Sequence, residues 1–425
     1  MKLTRRTFIA SAASSLAFHD RSIALAEKAV GWVARGAESA AQDEVFWAQI
    51  QQAFTLDRNI VNFNNGGVSP SPRVVQDALR RFLEYQNQAP SYYMWRHLEP
   101  EIEAVRRRLA RTFGCDTEEV AITRNASEAL ENVLFGLPMQ PGDEALTTDL
   151  DYPRMLTTLD QRVRRDGIKL VKVHVPNKPS TSEELLNPVR DAITSRTKMI
   201  LVSQVSFLNG QIFPIADFIK LGKKHNIPVV VDGAHAFAQY PFSRDELTCD
   251  YYGTSLHKWL MAPIGTGMLV VRKSKIEALW PLMAANPEQS KDIRKFEEIG
   301  THPAANHNAI GEALSFHELL QPERKAARLR YLRSRWAEPL LNEPNVEFHT
   351  NLGKEHSCGL TTVGIKGIKN DELATWLFDK KGIFVTGITT PTFSGIRVTP
   401  NVYTTIDEID RFKEAMLEAA TKGIN

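Results

Sequence analysis

The sequence predicts an α/β fold: a mostly parallel sheet domain of the seven-stranded type, followed by a smaller α+β domain. Three observations predict it. Short β-branched runs alternate with amphipathic stretches between residues 120 and 271. Several of these runs, Met199-Ile200-Leu201-Val202 above all, are apolar without alternation, as in strands covered on both faces. After Asn345 the rhythm changes to strand, helix, strand, strand, helix. Strands separated by helices make parallel sheets.

The first thirty residues read as an address. Thr4-Arg5-Arg6-Thr7-Phe8-Ile9 precedes small, mildly apolar residues, and Ala24-Leu25-Ala26 supplies an A-x-A cleavage pattern. Paired arginines ahead of Phe and Ile resemble a twin-arginine signal. Residues 1–26 are therefore expected to engage the twin-arginine translocation machinery and to be removed in the periplasm. The run is too short and too weakly apolar to span a bilayer, so no stable membrane insertion is expected. Residues 27–61 read as a polar linker, to about Asp43, and an N-terminal arm.

Residues 62–303 form the expected sheet domain, with strands at 120–123, 145–148, 170–175, 199–205, 229–232 and 268–271. Helical periodicity over 304–339 suggests a connecting helix. Residues 340–425 form the α+β domain, with strands at 346–349, 360–365, 384–385 and 396–398 and helices at 371–380 and 406–420.

Composition narrows the function. Across 425 residues, 52 Lys+Arg face 50 Asp+Glu, a net charge of +2, which supports no nucleic-acid partner. Cys115, Cys249 and Cys358 are too few and too scattered for a disulfide framework, and no metal site is expected. A dinucleotide-binding dehydrogenase would need G-x-G-x-x-G between an early strand and a helix. Gly265-Thr266-Gly267 lies instead between a loop and a strand.

The chemistry begins at Val229-Val230-Val231-Asp232-Gly233-Ala234-His235. An Asp ending a buried strand sits at the carboxyl edge of the sheet, where open α/β folds bind ligands. Lys258 follows 26 residues later, an interval that suits one helix and one strand and returns the lysine to the same edge. Such a pair suits pyridoxal 5'-phosphate (PLP): the amine forms a Schiff base and the carboxylate keeps the pyridine nitrogen protonated. Taken singly, Asp232 is equally compatible with a helix cap and Lys258 with an exposed surface. A third component joins them. Asn125-Ala126-Ser127-Glu128 opens a helix after the strand at 120–123, with a capping signature, and free N–H groups at a helix start make a phosphate site.

With these residues the chain resembles the class-V aminotransferase family of fold-type-I PLP enzymes, in its isopenicillin N epimerase-like branch. The resemblance runs from about Asn62 to Tyr403. Its motifs recur in order: Phe63-Asn64-Asn65-Gly66-Gly67, Asn125-Ala126-Ser127-Glu128-Ala129, Asp151-Tyr152, Val205-Ser206, Asp232-Gly233-Ala234-His235, Ser255-Leu256-His257-Lys258, Gly300-Thr301 and Ile396-Arg397-Val398. The resemblance implies that Lys258 is the Schiff-base lysine and α-carbon proton shuttle, that Asp232 pairs with the pyridinium nitrogen, and that His235 sits near the phenolic oxygen. It implies Ala234 on one ring face and Tyr152 stacked on the other. Ala126, Ser127, Ser255 and His257 would hold the phosphate, and Thr301 would reach the phosphate of a neighbouring subunit, in a homodimer with shared active sites. Arg397 would grip the substrate α-carboxylate, with Asn65 and Gly66 also on the substrate side. The plain alternatives are Tyr152 as core, Thr301 as a turn residue and Arg397 as half of a structural ion pair.

The sequence departs from the family in three places. Phe207 stands where the desulfurase branch has Asn. Segment 386–393, read as the loop ahead of Arg397, lacks the cysteine a desulfurase needs there, and Cys358, 39 residues ahead of Arg397, reads as packing. His302 stands where branch members often carry Arg. The resemblance thus implies a periplasmic PLP enzyme acting at the α-carbon of an amino acid or amino-acid-derived group, as an aminotransferase or epimerase. The alternatives are tailoring of a peptide siderophore or similar exported metabolite, a PLP-dependent lyase, and a non-catalytic binding module.

Overall fold

The computed structural model describes residues 36–424. The expected twin-arginine segment and its expected cleavage site lie outside the described residues. Eight strands precede the C-terminal part: β1 (Val61–Asn62), β2 (Val120–Thr123), β3 (Glu144–Thr148), β4 (Lys169–Val173), β5 (Thr197–Ser203), β6 (Val229–Asp232), β7 (Tyr251–Ser255) and β8 (Gly267–Val271). Seven of them form the large sheet, in the order β2-β8-β7-β6-β5-β3-β4. β8 runs antiparallel to both of its neighbours, and the other pairings are parallel.

Both faces of this sheet are covered, as the unbroken apolar runs predict. Val120, Ile122, Ile200, Val202, Val229 and Val231 enter one core with the helix Glu99–Phe113. Their neighbours Ala121, Met199, Leu201 and Val230 enter a second core with the helix Ala126–Gly136. β7 sits between β6 and β8 and closes the interval from Asp232 to Lys258, which also holds the one-turn helix Arg244–Leu247.

Gly267, first residue of β8, has a steric reason to be glycine. A Cβ there would lie 2.6 Å from both Cα and C of Asn125. The strand passes directly beneath the start of the helix Ala126–Gly136, and Gly267 pairs with Thr123 on one side and Ser255 on the other.

The C-terminal strands are β9 (Val346–Phe348), β10 (Thr361–Ile365), β11 (Ile383–Phe384), β12 (Thr386–Thr389) and β13 (Ser394–Val398). Four form an antiparallel sheet in the order β12-β13-β10-β9, backed by the helices Asn370–Lys381 and Ile406–Lys422. β11 pairs with β1 instead, and Asn64 bridges to Thr399, so the chain just ahead of the large domain is stitched to the small one.

Three expectations need correction. Segment 386–393 is not all loop: it contains β12. Thr386, Gly387 and Thr389 of that edge strand are not buried, so no apolar run marks it. The stretch before Asp43 is not all linker. Ala37–Ala41 is helical, with Ala40 and Ala41 buried, and the Trp47 indole of the helix Glu44–Gln51 donates to the Ala40 carbonyl at 2.9 Å. Small residues let this turn lie close to the helix Pro322–Ala337, whose Arg328 donates to Ala41 O at 2.9 Å. Finally, 304–339 is not one helix. It is split into Ala304–Asn308, Ile310–Leu320 and Pro322–Ala337. The last break falls at Gln321, at φ 61°, ahead of a proline that cannot supply the N–H to continue a helix.

Candidate active site

The carboxyl ends of β5, β6 and β7 lie side by side, with Ser203 opposite Asp232 and Asp232 opposite Gly253. The helix Ala126–Gly136 starts against the same edge. Asn125 caps it, accepting from Glu128 N at 2.9 Å, while the Glu128 carboxylate turns back to Arg124 N at 2.6 Å. Ser255, at the end of β7, accepts from Ala126 N at 3.0 Å. Ser127 is half-buried beside it. These hydroxyls stand at the positive end of a helix dipole, a place that favours an anion. His257 is half-buried. Its Nδ1 meets the Thr266 carbonyl at 3.0 Å and burial lowers its pKa to about 4, so Nε2 is the ring nitrogen left to face a ligand.

Asp232 is buried, and its Oδ1 accepts from Ala234 N at 2.9 Å. Burial raises its pKa to about 6; that backbone bond and Lys258 oppose the shift, and the nearby Asp151 adds to it. Lys258 moves the other way: loss of water around Nζ lowers it to about 8, Asp232 opposes the shift and Arg397 adds to it. Nζ lies 3.1 Å from His235 Nε2. His235 is buried, and its pKa is pushed well down by burial and by the cations Lys258 and Arg397, so the ring is neutral. Its Nδ1 is buried without a partner. An orphaned imidazole nitrogen beside an activated amine is a place left for a ligand.

Asp232 carries a pH signature. Its folded pKa, about 6, lies above the ordinary 3.8, so between these values the folded chain holds a proton that the unfolded chain has lost. Stability of the cofactor-free protein therefore falls as pH rises through that window, and the cost is about 3 kcal/mol above it. Asp232→Asn is expected to raise the melting temperature of the cofactor-free chain at pH 7.5 and to leave it unchanged near pH 3.5. An equal change at both pH values would reject this.

Arg397 of β13 is buried against the same space. Nη1 donates to Phe207 O at 3.1 Å, Nη2 donates to Asn64 Oδ1 at 2.9 Å, and Nε is buried without a partner. No carboxylate among the described residues pairs with it. Burial lowers its pKa to about 10. Among the described residues the ion-pair alternative therefore fails: the guanidinium is a buried cation with no anion there. Gly66 lies between the two halves of the site. A Cβ there would stand 3.3 Å from His235 Cε1 and 3.4 Å from Arg397 Cζ. Tyr152 is 40% exposed, which excludes a core role, and its ring meets Phe207 edge-on at 5.0 Å.

One site expectation is not met. Asn65 does not face the substrate side: its Nδ2 donates to Thr399 O at 2.8 Å and its Oδ1 accepts from Tyr403 at 2.6 Å, so the side chain is a latch to the small domain. Asn64 takes its place beside Arg397. The doubled Asn64-Asn65 hid which of the two turns inward. Thr301 is exposed after the turn Ile293–Glu297, and the contact expected of it lies in a neighbouring subunit rather than within this chain. Ala234 lies buried beside this cluster. Asp151 is buried and accepts from Thr147, Thr148 and Ser203, which ties the turn before Tyr152 to β3 and β5.

Fold and site together define a class, the fold-type-I PLP-dependent proteins. Within it, the chain belongs to the Aminotransferase class-V family, whose sequence pattern matches residues 60–412. Isopenicillin N epimerase of Streptomyces clavuligerus is 28% identical over 387 residues, which cover 87% of this chain and 97% of that protein. The isopenicillin N epimerase of Amycolatopsis lactamdurans is 27% identical over 393 residues, 88% of this chain and 98% of that protein. The apo structure of a cysteine desulfurase from Thermococcus onnurineus NA1 superimposes with a TM-score of 0.76 at 20% identity, over 88% of this chain and 98% of that one. The cofactor of the chain is pyridoxal 5'-phosphate. The residues present fit it: a helix N-terminus with hydroxyls for the phosphate, the buried Asp232 for the ring nitrogen, Lys258 for the aldehyde, and the orphaned His235 Nδ1 on the same side.

Proposed function

We propose that the protein acts at the α-carbon of an amino acid or amino-acid-derived group, as an epimerase or aminotransferase. One observation carries this reading: a buried guanidinium without a counter-ion flanks the Lys258–His235 pair across Gly66. An α-carboxylate is the anion that would bring an α-carbon within reach of that amine. Pyridoxal 5'-phosphate, when bound, supplies a ring that accepts electrons from the α-carbon. Arg397 binds the carboxylate, and Asn64 and the Phe207 carbonyl fix the plane of its guanidinium. Asp232 holds the ring nitrogen protonated. Lys258 takes the α-proton and returns it, helped by a pKa already drawn toward neutrality. His235, neutral, orients the lysine nitrogen.

The cysteines do not fit a desulfurase. Cys358 is buried, with its thiol toward the carbonyls of Gln239 and Ala326, and burial pushes Cys115 and Cys249 up to about 12. None is poised as a thiolate. Incubating the holoenzyme with amino acids in heavy water tests the proposal. The expected result is deuterium at the α-carbon, with inversion for an epimerase or a keto acid for an aminotransferase. Elimination of a β-substituent would place the protein among the lyases, and no exchange with any amino acid would leave a binding module.

The proposal includes export and a homodimer. Large apolar side chains stand open to solvent, Ile264 at 70% and Trp280 at 74%, and Thr301 is exposed as a residue lent to a neighbour would be. Protein from the periplasmic fraction is expected to begin after Ala26 and to sediment at about twice the monomer mass. A precursor confined to the cytoplasm contradicts the first part, and a monomer the second.

A further inference from the structure

Behind the site lies a buried lysine that the proposed chemistry does not use. Lys325, on the first turn of the helix Pro322–Ala337, is 0% exposed. Its Nζ donates to the backbone carbonyl of Trp259, the residue that follows Lys258. No carboxylate among the described residues pairs with it; burial lowers its pKa to about 7, and Cys358 opposes the shift. The start of a helix is also the wrong end for an ammonium. A lysine so placed is a poor stabilising device, because taking an amine out of water, whether it keeps its charge or gives up its proton, costs more than one hydrogen bond returns.

What it holds matters. The chain turns sharply after Lys258: Met261 N donates to Lys258 O at 3.2 Å, Ala262 N donates to Leu256 O at 3.1 Å, and Met261 sits at φ 60°. Trp259 fills this turn fully buried, and its indole N–H has no partner. The polar anchor of the residue is therefore its carbonyl, and the group on it is Lys325.

We propose that Lys325 is a positioning residue for Lys258: it pins the peptide after the catalytic lysine and so keeps Nζ directed at His235 and the ligand. This rests on the reading of Lys258 as the lysine that bonds the cofactor. The test uses the full-length protein, stripped of cofactor, mixed with pyridoxal 5'-phosphate and quenched with borohydride at intervals, the covalently retained cofactor being read by intact mass. Lys325→Met removes the donor and keeps the volume. It is expected to form the bond about tenfold more slowly, as a displaced reacting group does, with a melting temperature no lower than wild type. Lys325→Gln keeps an N–H donor and is expected to form the bond at the wild-type rate. A wild-type rate in Lys325→Met overturns the proposal. So does a Lys325→Gln protein as slow as Lys325→Met, and so does failure of Lys325→Met to fold, which would make the residue a stabilising one. Lys258→Ala, run alongside, separates the two readings: cofactor trapped in that variant overturns the role of Lys258, whatever the Lys325 variants do.

Discussion

Lys258→Ala is expected to lower α-proton exchange at least about a thousandfold, the scale on which a positioned acid–base group acts. The argument is geometric before it is electrostatic. The amine stands 3.1 Å from a neutral imidazole, and Asp232 and Arg397 both act on it electrostatically. Nothing else within that cluster can both bond an aldehyde and move a proton. Cofactor is still expected to bind the variant, through the helix Ala126–Gly136 and Ser255, so absorbance after dialysis separates loss of chemistry from loss of binding. Exchange within tenfold of wild type would mean that another group removes the proton.

Arg397→Ala is the second large effect. It is expected to lower kcat/KM for α-amino acids by about 2–4 kcal/mol, roughly thirty- to a thousandfold, the range for truncating one partner of a desolvated charge pair. An amine of the same skeleton without the carboxylate is expected to lose far less, because the guanidinium contributes only to the carboxylate. The free protein gives an independent reading. Arg397 has no anion to lose among the described residues, so Arg397→Met is expected to melt no lower than wild type. Unchanged kinetics on carboxylates would remove Arg397 from the site. A large loss of stability would return it to a structural role.

Much of this was legible in the sequence because buried parallel strands advertise themselves. Runs such as 199–202 and 229–231 must be apolar on both faces, and Asp232 stands out because it ends one of them. The helix Ala126–Gly136 at the edge of the site was legible through its cap, Asn125. What the sequence hid falls where the local pattern is weak or doubled. β12 is a partly exposed edge with Thr and Gly, so burial prints no rhythm on it. The helix Ala37–Ala41 is too short for a period and packs through small side chains. The adjacent asparagines 64 and 65 differ only in which way the backbone turns them, and that is set by the bridge from Asn64 to Thr399, over three hundred residues away. Lys325 carried no signal, since a lysine in a basic helix reads as surface until the fold buries it. The missing counter-ion of Arg397 is likewise a property of the assembled site.

The account stands on one amine meeting the cofactor, and one measurement tests that directly. The holoenzyme is reduced with borohydride and digested, and the phosphopyridoxyl group is located by peptide mass spectrometry. The expected result is one modified residue per chain, Lys258. A modification at any other lysine, or none after reduction of a yellow protein, would contradict it.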